Sequence, residues 1–356
     1  MNSRYRILRP LASGGFGRVS LALDQETGEQ VAVKELIELR GDALDRFRNE
    51  YAILYDQIDN KYVVDVLDAD FDAHPPYIVL EYCEHGSLRS WVEQPKPWLV
   101  VAFALSYALQ GLWGIHRLGG FHRDLKPENL LVTSDPDMGF IVKVADFGLA
   151  RVPQGTTTMT NHKAGTRGYI APEVDNGSVG FHAGADIYSL GVVATELLTG
   201  TGDPARLNNA TIPAALRELV LQMIAADRTK RPDLHQIASR LAEIVKIGPV
   251  QASASPAPEA VSQRAAAPPR AVQPAAPAAV AARAPSANVP SVSVPAPAAA
   301  TSGPGLGATL LAGGMAAGLV AALLTKLASN DTEWDESVRR YRGSDGRFEK
   351  GKRRRR

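Results

Sequence analysis

The stretch from Pro249 to Ser302 decides how much of this chain can fold. It holds 11 prolines and little besides Ala, Ser and Val, with three basic groups and one acidic group. Each proline removes a backbone donor, and few side chains there are large enough to build a core. The segment therefore reads as a disordered linker, partly polyproline-II, with a reach of at most roughly 170 Å. It leaves residues 1–248 as the block able to form a core. That block carries 25 Lys+Arg against 31 Asp+Glu and mixes apolar periodicities, as a folded domain should. Behind the linker, residues 303–325 have no charge, and residues 326–356 hold 11 basic and 6 acidic groups, ending in Lys352-Arg353-Arg354-Arg355-Arg356. The whole chain balances at +1, which excludes a wholly basic nucleic-acid coat and a wholly acidic disordered protein. Its single cysteine, Cys83, excludes an internal disulfide framework and a Cys-rich zinc site, and suits a reducing compartment. No internal repeat is present, and Met1–Arg6 shows no secretory signal.

Within the first block, Tyr5–Leu11, Arg18–Leu23 and Gln30–Glu35 are short and rich in alternating or β-branched apolar residues. Ser13-Gly14-Gly15 and Gln25-Glu26-Thr27-Gly28 separate them with turn chemistry, which predicts an antiparallel meander. Leu44, Phe47, Tyr51 and Leu54 then recur at helical spacing. Strands are expected at Val63–Leu67 and Tyr77–Glu81, and helices at Leu99–His116, Ala185–Leu198, Ala214–Ala226 and Leu234–Val245. The coarse expectation is a small sheet-rich lobe followed by a larger helical one.

Four motifs carry chemistry. Leu11-Ala12-Ser13-Gly14-Gly15-Phe16-Gly17-Arg18-Val19 places glycines between two strands, where backbone amides can approach phosphate and a Cβ would clash. Alone this is weak, because glycine-rich hairpin turns are common. Val31-Ala32-Val33-Lys34 puts one lysine at the end of an apolar strand. Either it reaches solvent or it needs a carboxylate, and Glu50 on the following helix is suitably placed. The decisive pair is His122-Arg123-Asp124-Leu125-Lys126-Pro127-Glu128-Asn129 and Asp146-Phe147-Gly148. Phosphoryl transfer needs a carboxylate that orients the acceptor, a lysine that neutralises charge and oxygen ligands for Mg²⁺. Both segments, in this order and behind a glycine loop and a strand lysine, leave little room for an accident of composition.

These residues resemble the eukaryotic-like Ser/Thr protein kinases, over essentially all of residues 1–248. The resemblance implies an α+β bilobal protein-kinase fold, with a small β-rich N-lobe and a larger helical C-lobe, using ATP and Mg²⁺. It assigns Gly14 and Gly17 to the phosphate-covering loop with Gly15, Lys34 to the α/β-phosphates and Glu50 to its helix partner. Asp124 takes the catalytic-base position and Lys126 touches the transferred phosphate, while Asn129 and Asp146 ligand the metal. Ala12, Val19, Ala32, Glu81, Cys83 and Leu131 complete the nucleotide pocket, with Leu80 as gatekeeper and Glu81, Tyr82 and Cys83 as hinge. Ala171-Pro172-Glu173 closes the activation segment, Glu173 pairing with Arg231 and Asp186 anchoring the catalytic loop. Leu54, Val66, His122 and Phe147 fall where the family stacks its spine. Lys126 and Gly165-Thr166 look like the Ser/Thr branch, so protein Ser/Thr hydroxyls are the expected acceptors. Arg123 is placed to clamp a phosphorylated Thr156, Thr157, Thr158 or Thr160, which implies autophosphorylation. Two departures stand out: Ala12 replaces the first loop glycine, and the stretch from Gly200 to Ile212 is short where the family has a helix.

The uncharged Gly303–Thr325 is long enough for a membrane span and lacks the polar face of a soluble amphipathic helix. Gly314 and Gly318 form a small-xxx-small pattern that suits close helix packing, and hence a homodimer. A transmembrane helix here would make the chain a single-pass cell-membrane protein with its kinase domain in the cytoplasm, where ATP is. The more basic C-terminal flank opposes export of the tail, so the topology stays open. That tail suits binding to anionic lipid or nucleic acid, or else is a solvated, disordered end, and no zinc spacing or DNA-reading helix argues for a dedicated nucleic-acid-binding domain. Bacterial membrane-anchored members of the family share this order of kinase, linker and span. Two other classes compete with an active protein kinase. A pseudokinase scaffold would be expected to lack at least one of Lys34, Glu50, Asp124, Asn129 and Asp146, all of which are present. A small-molecule kinase is disfavoured by the full activation segment through Glu173.

Overall fold

The structure, a computed structural model, describes residues 4–14, 17–37, 43–52, 60–146, 166–252, 341–342 and 348–349. The chain begins with three antiparallel strands, β1 (Tyr5–Gly14), β2 (Gly17–Asp24) and β3 (Gln30–Leu36). Helix α1 (Ala43–Ala52) packs against β3. Strands β4 (Val66–Asp70) and β5 (Tyr77–Glu81) complete a five-stranded sheet in the order β1-β2-β3-β5-β4. The meander expected from the turn chemistry is therefore present. β3 reads as an apolar run because Val31, Ala32 and Val33 are all buried, whereas β1 is largely exposed beyond Tyr5.

The run expected as a strand at Val63–Leu67 divides differently. Val63 bridges Val144, and the Val64 amide donates to the Val144 carbonyl, so these two residues pair with the second lobe. The β4 ladder with β5 starts only at Val66. An apolar run of this kind carries no label saying which of two sheets it will join.

The second lobe is built on α2 (Trp98–His116), α4 (Ala183–Thr199), α5 (Ala214–Met223) and α6 (Leu234–Ala252), with a single turn α3 (Pro172–Asp175). Helix α6 runs past the boundary expected at residue 248. Helix α2 is long and apolar enough to cross a membrane by composition, yet most of it is buried inside the protein. It packs on α4, on α6 and on β7 (Gly139–Val144), which is one reason its apolar residues lie on all sides. Gly111 marks the tightest contact, where a Cβ would lie 2.7 Å from the Tyr62 carbonyl and 2.5 Å from the Val144 side chain.

Strand β6 (Leu130–Asp135) pairs with β7 in a two-stranded antiparallel ladder that sequence reading passed over. Leu130-Leu131-Val132-Thr133 and Phe140-Ile141-Val142, separated by Asp135-Pro136-Asp137, are the signal that could have found it. This hairpin matters because its two ends hold the Asn129 and Asp146 segments side by side. Between α4 and α5, the short stretch contains a 3-10 turn, Pro204–Leu207, whose Leu207 is fully buried. Strands β8 (Tyr341–Arg342) and β9 (Phe348–Glu349) form a two-residue antiparallel ladder in the tail. The expected linker from residue 253 onward and all of the expected span, residues 303–325, lie outside the described residues, as do Gly15, Leu54, Phe147, Gly148, Thr156, Thr157, Thr158, Thr160 and Gly165.

Candidate active site

Lys34 stands on β3 with its Nζ 3.0 Å from Asp146 Oδ1. One group comes from the sheet lobe and the other from the end of β7, so this ion pair spans the two lobes. The ammonium holds the Asp146 carboxyl down to about 2, below the ordinary aspartate range. Asp146 also adopts a φ of 63°, the left-handed region that costs a non-glycine residue roughly 1–2 kcal/mol. Glu50 lies on α1 beside β3, but its side chain is outside the described part of the structure.

Asp124 is the centre of a second cluster. Its Oδ2 accepts from Lys126 Nζ at 2.7 Å and from Asn129 Nδ2 at 3.3 Å, and its Oδ1 accepts from the Thr166 hydroxyl at 2.8 Å. Lys126 Nζ also donates to Thr166 Oγ1 at 2.8 Å, closing a triangle. A carboxylate offers about four lone-pair sites, so three occupied sites leave one on Oδ1 for an incoming hydroxyl. Sequence reading used Thr166 as a marker of substrate class; its direct bond to Asp124 joins residues 42 positions apart, which no local spacing reveals.

The loop that presents Asp124 is held from below by Asp186. Its Oδ2 accepts the His122 amide at 2.9 Å and sits 2.8 Å from His116 Nε2, while its Oδ1 accepts the Arg123 amide at 3.0 Å. Arg123 has a φ of 72°, and this carboxylate, only 1% exposed, is what fixes that turn. Burial pushes the Asp186 carboxyl up, but its contact with His116 and the bond from the Arg123 amide outweigh it, leaving the group below its ordinary value. From above, His122 Nε2 lies 2.9 Å from the Ala145 carbonyl, and the Ala145 amide donates to the Asn129 carbonyl at 2.9 Å. These two bonds fix the Asp124 loop against the residue preceding Asp146. Val66 and His122, two of the four spine positions, are both buried.

Several residues assigned to the nucleotide pocket are neighbours in the sheet or in one small cluster. Ala32 pairs with Leu80 across β3 and β5, and Val19 pairs with Ala12 on one side and Lys34 on the other. Leu80, Cys83 and Leu131 pack with Val64 and Ala145 in a small apolar cluster. Cys83 is 5% exposed, and burial together with nearby Glu81 pushes its thiol up to about 12. Glu81 turns inward to Lys143 on β7, 2.5 Å away, and accepts the Asp65 amide at 3.1 Å. Burial raises the Glu81 carboxyl, and Lys143 only partly offsets that. Lys143 was no candidate from sequence, although a lysine within Phe140-Ile141-Val142-Lys143-Val144 demands a partner if both faces are buried. Gly17 has a structural reason to be glycine: a Cβ there would sit 2.2 Å from the Glu35 carbonyl oxygen. Gly14 faces it across the end of the β1–β2 hairpin.

The metal requirement fits the donor set. Among the described residues no group of three His, Cys, Asp or Glu side chains could hold a metal alone. Asp146 provides carboxylate oxygen, and Asn129, whose Nδ2 is spent on the Asp124 carbonyl at 2.8 Å, keeps its amide oxygen as an acceptor. Two protein oxygens suit Mg²⁺, which takes few protein ligands and fills its octahedron with phosphate oxygens and water.

Glu173 and Arg231 meet as expected, in a bidentate pair at 2.7 and 2.8 Å, with the Arg231 side chain 1% exposed. His182 Nε2 lies 2.9 Å from Glu173 Oε1. Asp124, Arg123, Leu125, Thr166, Tyr169 and Phe181 line a narrow crevice beside the base position.

Comparison with known proteins gives the same answer as the geometry. A family model described as the protein kinase domain matches residues 5–246. The chain is 39% identical over 216 residues to the serine/threonine-protein kinase PknL of Mycobacterium tuberculosis, covering 58% of this chain and 52% of that protein. It is 34% identical over 201 residues to the serine/threonine-protein kinase Pkn1 of Myxococcus xanthus, covering 55% and 29%. With cds1 of Schizosaccharomyces pombe it shares 34% over 220 residues, covering 56% and 45%. The matched region thus spans about half or less of these relatives' lengths. A bilobal fold, a lysine–aspartate pair between the lobes and a family match over two thirds of the sequence lead to one assignment: this chain belongs to the protein kinase family.

Proposed function

We propose that the chain is an ATP- and Mg²⁺-dependent serine/threonine protein kinase that transfers the γ-phosphate of ATP to protein hydroxyls. The observation that supports this reading is the Lys34–Asp146 pair between the lobes together with the Asp124–Lys126–Asn129 cluster, two charged groupings that His122 and the Ala145–Asn129 bond tie to one another. MgATP, when bound, supplies the phosphoryl group and the metal that neutralises its charge. Asp124 holds the acceptor hydroxyl through its remaining Oδ1 site and takes up its proton. Lys126, already bonded to Asp124, faces the region where charge builds as the bond to the leaving oxygen breaks. Lys34 supplies a second cation from the other lobe, and Asp146 with Asn129 presents oxygen to the metal. Catalysis is then positioning and electrostatics, with little covalent work for the protein. A pseudokinase scaffold finds no support in this geometry.

Protein acceptors are favoured over small molecules because Tyr169 and Ala171 line the crevice beside Asp124 and the segment that carries them is pinned by the Glu173–Arg231 pair. Autophosphorylation among Thr156, Thr157, Thr158 and Thr160, read by Arg123, is the expected activation route. The uncharged Gly303–Thr325 and the basic tail support a membrane anchor that contacts lipid, with the catalytic domain in the cytoplasm and Gly314 and Gly318 favouring a homodimer. Helix α2, the one membrane-length apolar helix among the described residues, is a core helix and contributes nothing to this anchor.

The test is incubation of the full chain with labelled ATP, Mg²⁺ and a generic basic protein. Asp146→Asn should reduce phosphate transfer at least a hundredfold while the thermal transition stays cooperative. Undiminished turnover in that variant would overturn the assignment. Fractionating cells that make the full chain, before and after a carbonate wash, checks the anchor separately.

A further inference from the structure

Lys34 reaches Asp146, and strand alternation sends the next side chain, Glu35, to the opposite face of β3. That is the face on which Val31 and Val33 pack with Tyr5 and Tyr77. Glu35 is only 4% exposed there. The cation that answers it is Arg18 on β2, whose Nε and Nη2 both lie 2.8 Å from Glu35 Oε2. The main chain meets at the same place: Gly17 pairs with Leu36 and Arg18 with Glu35, and a Cβ on Gly17 would strike the Glu35 carbonyl oxygen. Glu35 therefore grips two consecutive residues of the glycine hairpin, Gly17 against its carbonyl and Arg18 with its carboxylate. On one side of this grip Gly14 pairs with Gly17 at the end of the hairpin; on the other, Val19 pairs with Lys34.

The two charges of the pair stand in unequal surroundings. Arg18 is half exposed and loses little if released to water, whereas a carboxylate as deep as Glu35 is tolerated only while it is paired. Without the guanidinium, hydrating Glu35 requires the start of β2 to lift from β3. Little opposes that movement from outside, because β1 is exposed from Arg6 to Ser13. A lifted stem carries the hairpin amides away from the level of Lys34, and with them the donors that would cover phosphate.

We propose that Arg18 is a positioning residue for the nucleotide: by answering Glu35 it seats the glycine hairpin on β3 beside Lys34, and so sets affinity for the phosphates and not for the nucleoside. This rests on the protein-kinase reading above. Adenosine needs only the apolar pocket of Ala32, Leu80, Cys83 and Leu131, whereas a nucleoside diphosphate also needs the hairpin. Loss of Arg18 should therefore separate two ligands that general damage to the lobe would weaken together.

The experiment is calorimetric titration of the full chain with MgADP and, separately, with adenosine. Arg18→Met keeps most of the side-chain stem and removes the charge. It should weaken MgADP about fivefold or more, with adenosine unchanged within about twofold. Adding Glu35→Gln removes the buried charge and should bring MgADP back to within about twofold of wild type. Arg18→Lys, which keeps a cation but loses the fork, serves if the methionine variant fails to fold, and must then weaken MgADP alone by at least about twofold. Equal losses for both ligands, MgADP affinity unchanged in the single variant, or no recovery in the double variant overturns the proposal. So does failure of both single variants to fold, which would place Arg18 in the fold and not in nucleotide binding. Failure of the kinase reading shows differently: the wild type would bind neither MgADP nor adenosine, and the inference falls with it.

Discussion

Replacing Asp186 by Asn tests whether the catalytic loop is held where it is by one buried carboxylate. The side chain now serves three groups: the His122 amide, the Arg123 amide and the His116 ring. A carboxamide of the same shape has one oxygen and one NH₂ group. Placed with its oxygen toward His122 and His116, it turns an NH₂ group on the Arg123 amide and leaves a buried donor unmet. Flipped, it strands the His122 amide instead. An unmet buried donor costs about 1–3 kcal/mol, and the surviving bonds lose their charge assistance, roughly 1 kcal/mol more. The total, about 2–4 kcal/mol, exceeds the roughly 1–2 kcal/mol that Arg123 stores at φ 72°. The loop should therefore relax, moving Asp124 away from Thr166 and Asn129. The midpoint of thermal unfolding should fall by about 4–16 °C for a domain of this size. Turnover should fall about 30-fold or more, since 2 kcal/mol of lost positioning corresponds to roughly that factor. Differential scanning calorimetry and initial-rate kinetics on the full chain measure both. A variant with turnover within threefold of wild type and a midpoint within about 2 °C would refute the claim that Asp186 holds the loop.

Arg231→Ala takes the bidentate partner from the partly exposed Glu173 carboxylate and should cost about 1.5–3 kcal/mol in urea unfolding; combining it with Glu173→Gln should recover part of that. A double-mutant coupling below about 0.5 kcal/mol would show the pair to be energetically idle. Arg4 holds the Asp24 carboxyl down to about 2, and the bond is bidentate at 3.0 and 2.8 Å. A carboxyl lowered on folding stabilises above its unfolded value, near 3.8, and that gain disappears as pH falls toward 2. The stability advantage of wild type over Asp24→Asn, on the order of 2 kcal/mol at neutral pH, should accordingly shrink between about pH 4 and pH 2. Cys83, buried and with its thiol raised to about 12, should resist Ellman's reagent at pH 8 in the native chain and react fully in guanidinium. Fast native labelling would place it outside the apolar cluster with Leu131.

Most of the architecture was legible because its signals are local. The β1–β3 meander follows from alternating residues and turn glycines, and α2, α4, α5 and α6 from long apolar periodicity. The positions of Lys34, Asp124, Asn129 and Asp146 follow from motifs whose spacing is chemical. What escaped is what two distant segments decide together. Val63 and Val64 could have joined either sheet, and only Val144 determines which. Lys143 finds Glu81 across 62 positions, and Arg89 finds Tyr169 across 80. The β6–β7 hairpin was hidden for a different reason: it lies between two motifs that drew attention to their polar ends.

Helix α2 has a further consequence for how the protein is made. A ribosome releases its 19 apolar-rich residues well before it synthesises α4 and α6, which cover them. At roughly 5–20 residues per second the nascent chain carries this naked, membrane-like segment for about 3–30 s. During that interval it presents what a targeting factor or a chaperone looks for. Whatever machinery sorts nascent chains must pass over this early hydrophobic stretch if the catalytic domain is to reach the compartment where its nucleotide is found.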